Sequence, residues 1–264
     1  MIGDIHTRVS GEAGKFLARA QAIFASDDRF SALLVAGSTI EGATDEFSDL
    51  DLIVISPEAA YGAVMGARRQ IAESLGSLHA AFTGEHVGEP RLLICLYGDP
   101  LLHVDLKFVT VDDLDRRVET PLVAWSRDPA VLERLRSGTS EWPNRPPEWF
   151  EERFWIWVHY GATKIGRGEN MEAIHMLDFL RDQVLGPLIA RSLGRDQRGV
   201  RHLERLAPGL QKQLEETLCS AEKGKIKRAY LAAIALYRDL RAGAIPDNLR
   251  VSRESAVCSY VESV

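Results

Sequence analysis

Two short apolar runs, Ser31–Val35 and Leu50–Ile55, frame a segment that constrains the rest of the chain: AGSTIEGATDEFSDLDLIVI at 36–55. Each run is rich in branched aliphatics and bounded by turn residues, which predicts two buried strands. A Gly-Ser pair, Gly37 and Ser38, follows the first run, and Asp49 and Asp51 open the second. Side chains alternate faces along a strand, so the two aspartates project the same way, roughly 6.5–7 Å apart at Cα. Two carboxylates on one face of an apolar strand repel unless a cation lies between them. The run Leu101–Val109 predicts another apolar strand and carries Asp105 inside it. An ionised carboxylate buried there is costly to desolvate unless paired or metal-bound. Lys107, two residues on, is the ordinary structural partner to set against a metal.

Around this segment the pattern is mixed. Residues 12–25 (Phe16, Leu17, Ala20, Ile23, Phe24) read as an amphipathic helix, and strands are expected at 31–36, 50–55, 91–97 and 101–109. Gly98-Asp99-Pro100 makes the last two a hairpin. Ser56-Pro57-Glu58 ends the second strand and starts a helix over about 58–75, with Pro57 at its first position. A short helix or turn follows at Val111–Leu114. Residues 137–148, SGTSEWPNRPPE, concentrate Ser, Gly, Asn and three prolines, as a linker does. Beyond it only helical periodicity appears, over about 147–166, 170–192, 198–220, 224–242 and 252–263. The expectation is α+β: a catalytic domain at 1–140 with a mixed sheet and helices, then an all-helical bundle at 147–264 that forms the second wall of a cleft.

Composition narrows the function classes. A formal net charge of −6 over 264 residues argues against nucleic acid as a partner, since phosphate backbones recruit concentrated Lys and Arg. The local basic stretches, Arg191–Arg205 and Lys223–Arg228, read as solvated helix faces. Cys95, Cys219 and Cys258 have no metal-ligand or disulfide spacing, and Cys95 reads as a small buried hydrophobe. With no apolar signal core and no membrane-length apolar stretch, a cytoplasmic protein without a membrane partner is expected. The aromatics Trp149, Phe150, Phe154, Trp155 and Trp157 read as helix packing, with one or two available to line a cleft.

Gly37-Ser38, about ten residues, Asp49-x-Asp51, then Asp105 on a later strand resembles the nucleotidyltransferase superfamily over roughly residues 30–110. The wording DEFSDLDL at 45–52 looks like its antibiotic-modifying branch. The stretch Phe154–Glu169, with the Leu-rich run after it, resembles the second domain of streptomycin 6-adenylyltransferases. The resemblance implies transfer of a nucleoside monophosphate, AMP from ATP, to a hydroxyl of a small acceptor such as an aminoglycoside. It implies two Mg²⁺ ions held by Asp49, Asp51 and Asp105, typically 3.5–4 Å apart, with Asp105 also able to accept the acceptor's proton. Gly37 and Ser38 would meet the phosphates, with Lys164 and Arg167 as further nucleotide contacts. Glu169 (also a candidate second base) and Trp155 would be acceptor contacts. Monomer and homodimer both remain open, as do the alternatives of a protein or RNA acceptor and of a non-catalytic nucleotide sensor. Three retained carboxylates argue against the sensor.

Overall fold

The computed structural model describes residues 5–42, 44–245, 247 and 254–264. They form two compact units, 1–141 and 142–264, divided within the proline-rich stretch. The chain is α+β: a mixed sheet with helices in the first unit, helices alone beyond.

Six strands build the sheet: β1 (Ala32–Val35), β2 (Leu50–Ile55), β3 (Leu78–Gly84), β4 (Glu89–Tyr97), β5 (Leu102–Val109) and β6 (Leu122–Ser126), in the order β3-β4-β5-β2-β1-β6. Neighbours are antiparallel except β2 and β5, which run parallel. The alternating pattern of β2 and β5 determines which face is which. Leu50, Leu52, Val54, Val104, Leu106 and Phe108 are all at most 1% exposed, and they pack with Phe16, Leu17 and Phe24 of helix α1 (Gly11–Ala25). Val64 of α2 (Glu58–Gly66) and Ile71 and Ala72 of α3 (Arg68–Ser74) complete this core. Burying each large aliphatic or aromatic side chain contributes about 1.5–3 kcal/mol.

The opposite face is covered at one end. There Leu34, Ile55 and Val109 pack against Leu114 and against Val131 of α4 (Pro129–Ser137). Helix α4 starts where Asp128 accepts the amide of Ala130 at 2.9 Å, with Pro129 in the first turn. At the other end of the same face stand Asp51 and Asp105, partly buried, and His103, exposed.

The helical unit is built on α5 (Pro147–Arg167), α6 (Asn170–Leu180), α7 (Gly186–Ser192), α8 (Lys223–Ala244) and α9 (Glu254–Ser263). A π-helical turn at Arg181–Leu185 joins α6 to α7 without a break. Glu151 is its buried polar centre, 1% exposed. It accepts from the Trp155 indole (3.1 Å), the Tyr237 hydroxyl (2.5 Å) and Arg241 (3.1 Å).

Several elements differ from the sequence expectation. The helix expected over 58–75 is two helices, interrupted at Ala67, where the backbone leaves helical geometry (φ −101, ψ 7). Pro57 precedes the first of them rather than occupying its first position. The helix expected over 198–220 is three short pieces, Leu203–Leu206, Pro208–Leu210 and Gln211–Glu215; Pro208 cannot continue a helix from the preceding turn. Strands β3 and β6 and helix α4 were not expected. The start of the helix expected at 252 lies outside the described residues.

Candidate active site

The backbone pairing brings Gly-Ser and the carboxylates together. Val35 pairs with Leu52 across β1 and β2, and the Ala36 amide donates to the Asp51 carbonyl at 3.0 Å. The next residue, Gly37, therefore lies against the Asp51 side chain. It adopts φ +65, ψ −146, and a Cβ there would fall 1.9 Å from Asp51 Oδ2. Only glycine tolerates both that backbone conformation and that approach.

On the other side of β2, Asp51 is the direct register partner of Asp105 on parallel β5. Adjacent strands lie about 4.8 Å apart, so two carboxylates stand side by side on that face. Asp49 precedes β2 by one residue. Burial lifts the Asp105 carboxyl above its ordinary range; the His103 contact opposes this and the Asp49 charge adds to it. His103 Nε2 lies 3.0 Å from Asp105 Oδ1. Lys107, the structural partner considered from sequence, pairs instead with Glu89 at 2.8 Å.

A cavity of about 360 Å³ opens on this face, lined by Asp51, Asp105, Lys107, Arg91 and Glu119 among others. Around it Glu89 pairs with Arg91 at 2.7 Å, and Arg91 with Asp113 at 2.6 Å. Hydrogen bonding from Arg91, with help from Lys107, holds the Glu89 carboxyl down to about 2 against the effect of its burial. Glu119, from the loop before β6, accepts the Gly37 amide at 2.8 Å. The Ser38 hydroxyl oxygen is buried and has no hydrogen-bond partner among the described residues.

The donor set is all hard oxygen, which suits Mg²⁺ and not a soft metal. Among the described residues, no three His, Cys, Asp or Glu side chains already converge as a ready-made metal cluster. Mg²⁺ requires fewer protein ligands than that, being held commonly by one or two carboxylates together with substrate phosphates and water. The neighbouring Asp51 and Asp105 fit this pattern.

Of the residues expected to act from the helical unit, Trp155 is placed otherwise. Trp155 is 1% exposed and packs edge-on to Phe154 and Tyr237, so it is a core residue and not an acceptor contact. Phe154 stacks on Tyr237 with ring centres 3.6 Å apart, and Trp149 and Trp157 pack edge to face at 5.5 Å. Lys164 is committed to Glu169 (2.9 Å) and Glu172 (3.0 Å), which hold its ammonium above the ordinary range. Arg167 is exposed in the last turn of α5. Cys95 is buried, as its apolar run implies, and burial raises its thiol to about 11.

Sequence reasoning passed over three residues of the site. His103 stands two residues before Asp105 on its strand, and same-face alternation would have revealed it. Glu89 and Glu119 lie in segments with no motif; their positions follow from strand order and a loop path.

No protein-family model matches the chain, and no curated protein does. Among solved structures it is similar to an aminoglycoside 6-adenyltransferase from Bacillus subtilis, at 14% identity and a TM-score of 0.40, over 96% of this chain and 98% of that one. It is also similar to a nucleotidyltransferase-like protein from Exiguobacterium sibiricum 255-15, at 13% identity and a TM-score of 0.37, over 94% and 88%. At these values the likeness assigns neither family nor activity. No helix among the described residues is long and apolar enough to cross a membrane.

Proposed function

We propose that this chain is a Mg²⁺-dependent nucleotidyltransferase that moves AMP from ATP to a hydroxyl of a small acceptor. The observation that carries the reading is the pairing of Asp51 with Asp105 on parallel strands, facing a cavity, with Gly37 pressed against Asp51. Asp49, Asp51 and Asp105 would hold the metal, which neutralises charge on the triphosphate when bound. Gly37 lets the backbone approach a phosphate closely, and the unpartnered Ser38 hydroxyl is a donor in place for one of its oxygens. Asp105 is on the same face as Asp51, where it can take the proton of an attacking hydroxyl. Its contact with His103 fixes the carboxyl's orientation. Aminoglycosides are the class of small acceptor proposed.

The test is mass spectrometry of products after incubation with ATP, Mg²⁺ and a panel of aminoglycosides. The expected outcome is a mass gain of one AMP on an acceptor, absent for Asp49→Asn and Asp51→Asn. Near-parental turnover in either variant would overturn the metal assignment. Transfer to no compound in the panel would redirect the acceptor toward protein or RNA.

A further inference from the structure

Glu119 is an acidic side chain of the cavity that makes a direct hydrogen bond to the Gly-Ser segment. It comes from a loop 82 residues away in sequence, and its Oε1 accepts the Gly37 amide at 2.8 Å. A carboxylate oxygen and a phosphate oxygen are alike as acceptors: both are anionic and both make short charge-assisted bonds to a backbone N–H. Next to this occupied donor stands an unoccupied one, the buried Ser38 hydroxyl. The Gly37 amide is thus served by an internal anion and the Ser38 hydroxyl by no described residue. Glu119 also lines the cavity that holds Asp51 and Asp105, so its charge lies where a triphosphate would bring more negative charge.

We infer that Glu119 is an internal stand-in for a phosphate group: it holds the Gly37 amide in the resting protein and is displaced when nucleotide binds. This rests on the nucleotidyl-transfer reading. A bound phosphate oxygen and the Glu119 carboxylate cannot share one N–H donor in the same geometry. Nucleotide binding therefore includes breaking the Gly37–Glu119 bond and moving Glu119 away from the incoming charge. Glu119 sets how tightly the site takes nucleotide, by competition and not by contact with it. The same exchange keeps the Gly37 amide satisfied in both states, so the segment beside Asp51 holds its shape before substrate arrives.

The experiment is calorimetric titration of the full chain with ATP and Mg²⁺, comparing the parent with Glu119→Ala and Glu119→Gln. Glu119→Gln keeps a carbonyl acceptor for the Gly37 amide and loses only the charge, so it guards against a folding defect, checked by thermal melting. Both variants should bind ATP more tightly, Glu119→Ala by about tenfold, with a matching fall in KM for ATP. A residue that merely braces the loop predicts the reverse, weaker binding on truncation. Unchanged or weaker binding in both folded variants, with the parent binding ATP and transferring AMP, overturns the inference alone. Absence of ATP binding in parent and variants alike overturns the nucleotidyl-transfer reading and the inference with it.

Discussion

Asp105 and Glu151 are both carboxylates placed among apolar residues, one in each unit, and their surroundings are opposite. Glu151 is enclosed by an indole, a phenol and a guanidinium, each donating to it. Burying a charge is tolerated when its hydrogen-bonding capacity is filled and an opposite charge is adjacent. Asp105 has His103 beside it, a second carboxylate as its register neighbour and a cavity in front. The difference separates a carboxylate that fastens α5 to α8 from one that faces a cavity.

Two substitutions should divide along that line, with opposite readouts. Asp51→Asn, the neighbour of Asp105, should lower turnover with ATP and Mg²⁺ by a thousandfold or more, about 4 kcal/mol of barrier. Its melting temperature should stay level or rise, because a like-charge pair has been relieved. Glu151→Ala should cost about 3 kcal/mol of stability in the helical unit, because Arg241 is left buried with only Glu254 as partner. Denaturant unfolding followed by tryptophan fluorescence reports mainly on that unit, which holds Trp142, Trp149, Trp155 and Trp157, with Trp125 in the other. If Glu151→Ala melts as the parent does, the enclosed carboxylate is not a fastener and the contrast collapses.

Gly37→Ala tests how tightly the site face is assembled. The added methyl meets Asp51 Oδ2 in a backbone conformation reserved for glycine, a strain of about 1–3 kcal/mol. Asp51 must move to admit it. Turnover should therefore fall by well over tenfold while most of the sheet's stability is kept. Parental turnover would show that Asp51 is free to shift, and that the close approach of Gly37 has no part in the chemistry.

The contrast between the units also explains what could be read from sequence. Strands β1, β2, β4 and β5 are legible as apolar runs bounded by turn residues, and Asp51 and Asp105 stand out as carboxylates inside such runs. Strand β3 was not, since as an edge strand it keeps most of its side chains partly or fully exposed and shows no clean alternation. In β6 every residue is half-buried, again without alternation. In the helical half, Phe154–Glu169 looked like a site because aromatics, Lys, Arg and Glu crowd together. The same residues serve packing and ion pairing, and composition does not distinguish the two uses. Glu119 was invisible because its contact with Gly37 depends on where a loop returns, not on any local pattern.

The smallest effect concerns Glu89, which lies between the two cases: charge-paired like Glu151 but on the cavity wall like Asp105. Arg91 and Lys107 both bond it and hold its carboxyl down at about 2 from 4.5. A carboxyl depressed in the folded state contributes stability that is fully present above its unfolded value of 4.5. That contribution is lost as pH falls toward 2. Glu89→Gln removes it, at a cost near neutral pH of about 1 kcal/mol, since the pair is partly solvated and Arg91 keeps Asp113. The stability gap between parent and variant should therefore narrow between pH 5 and pH 2 in acid-titrated denaturation curves. A gap that stays constant with pH would mean that neither cation holds the Glu89 carboxylate. The cavity wall would then lose the paired charges that set it apart from the open carboxylates of β2 and β5.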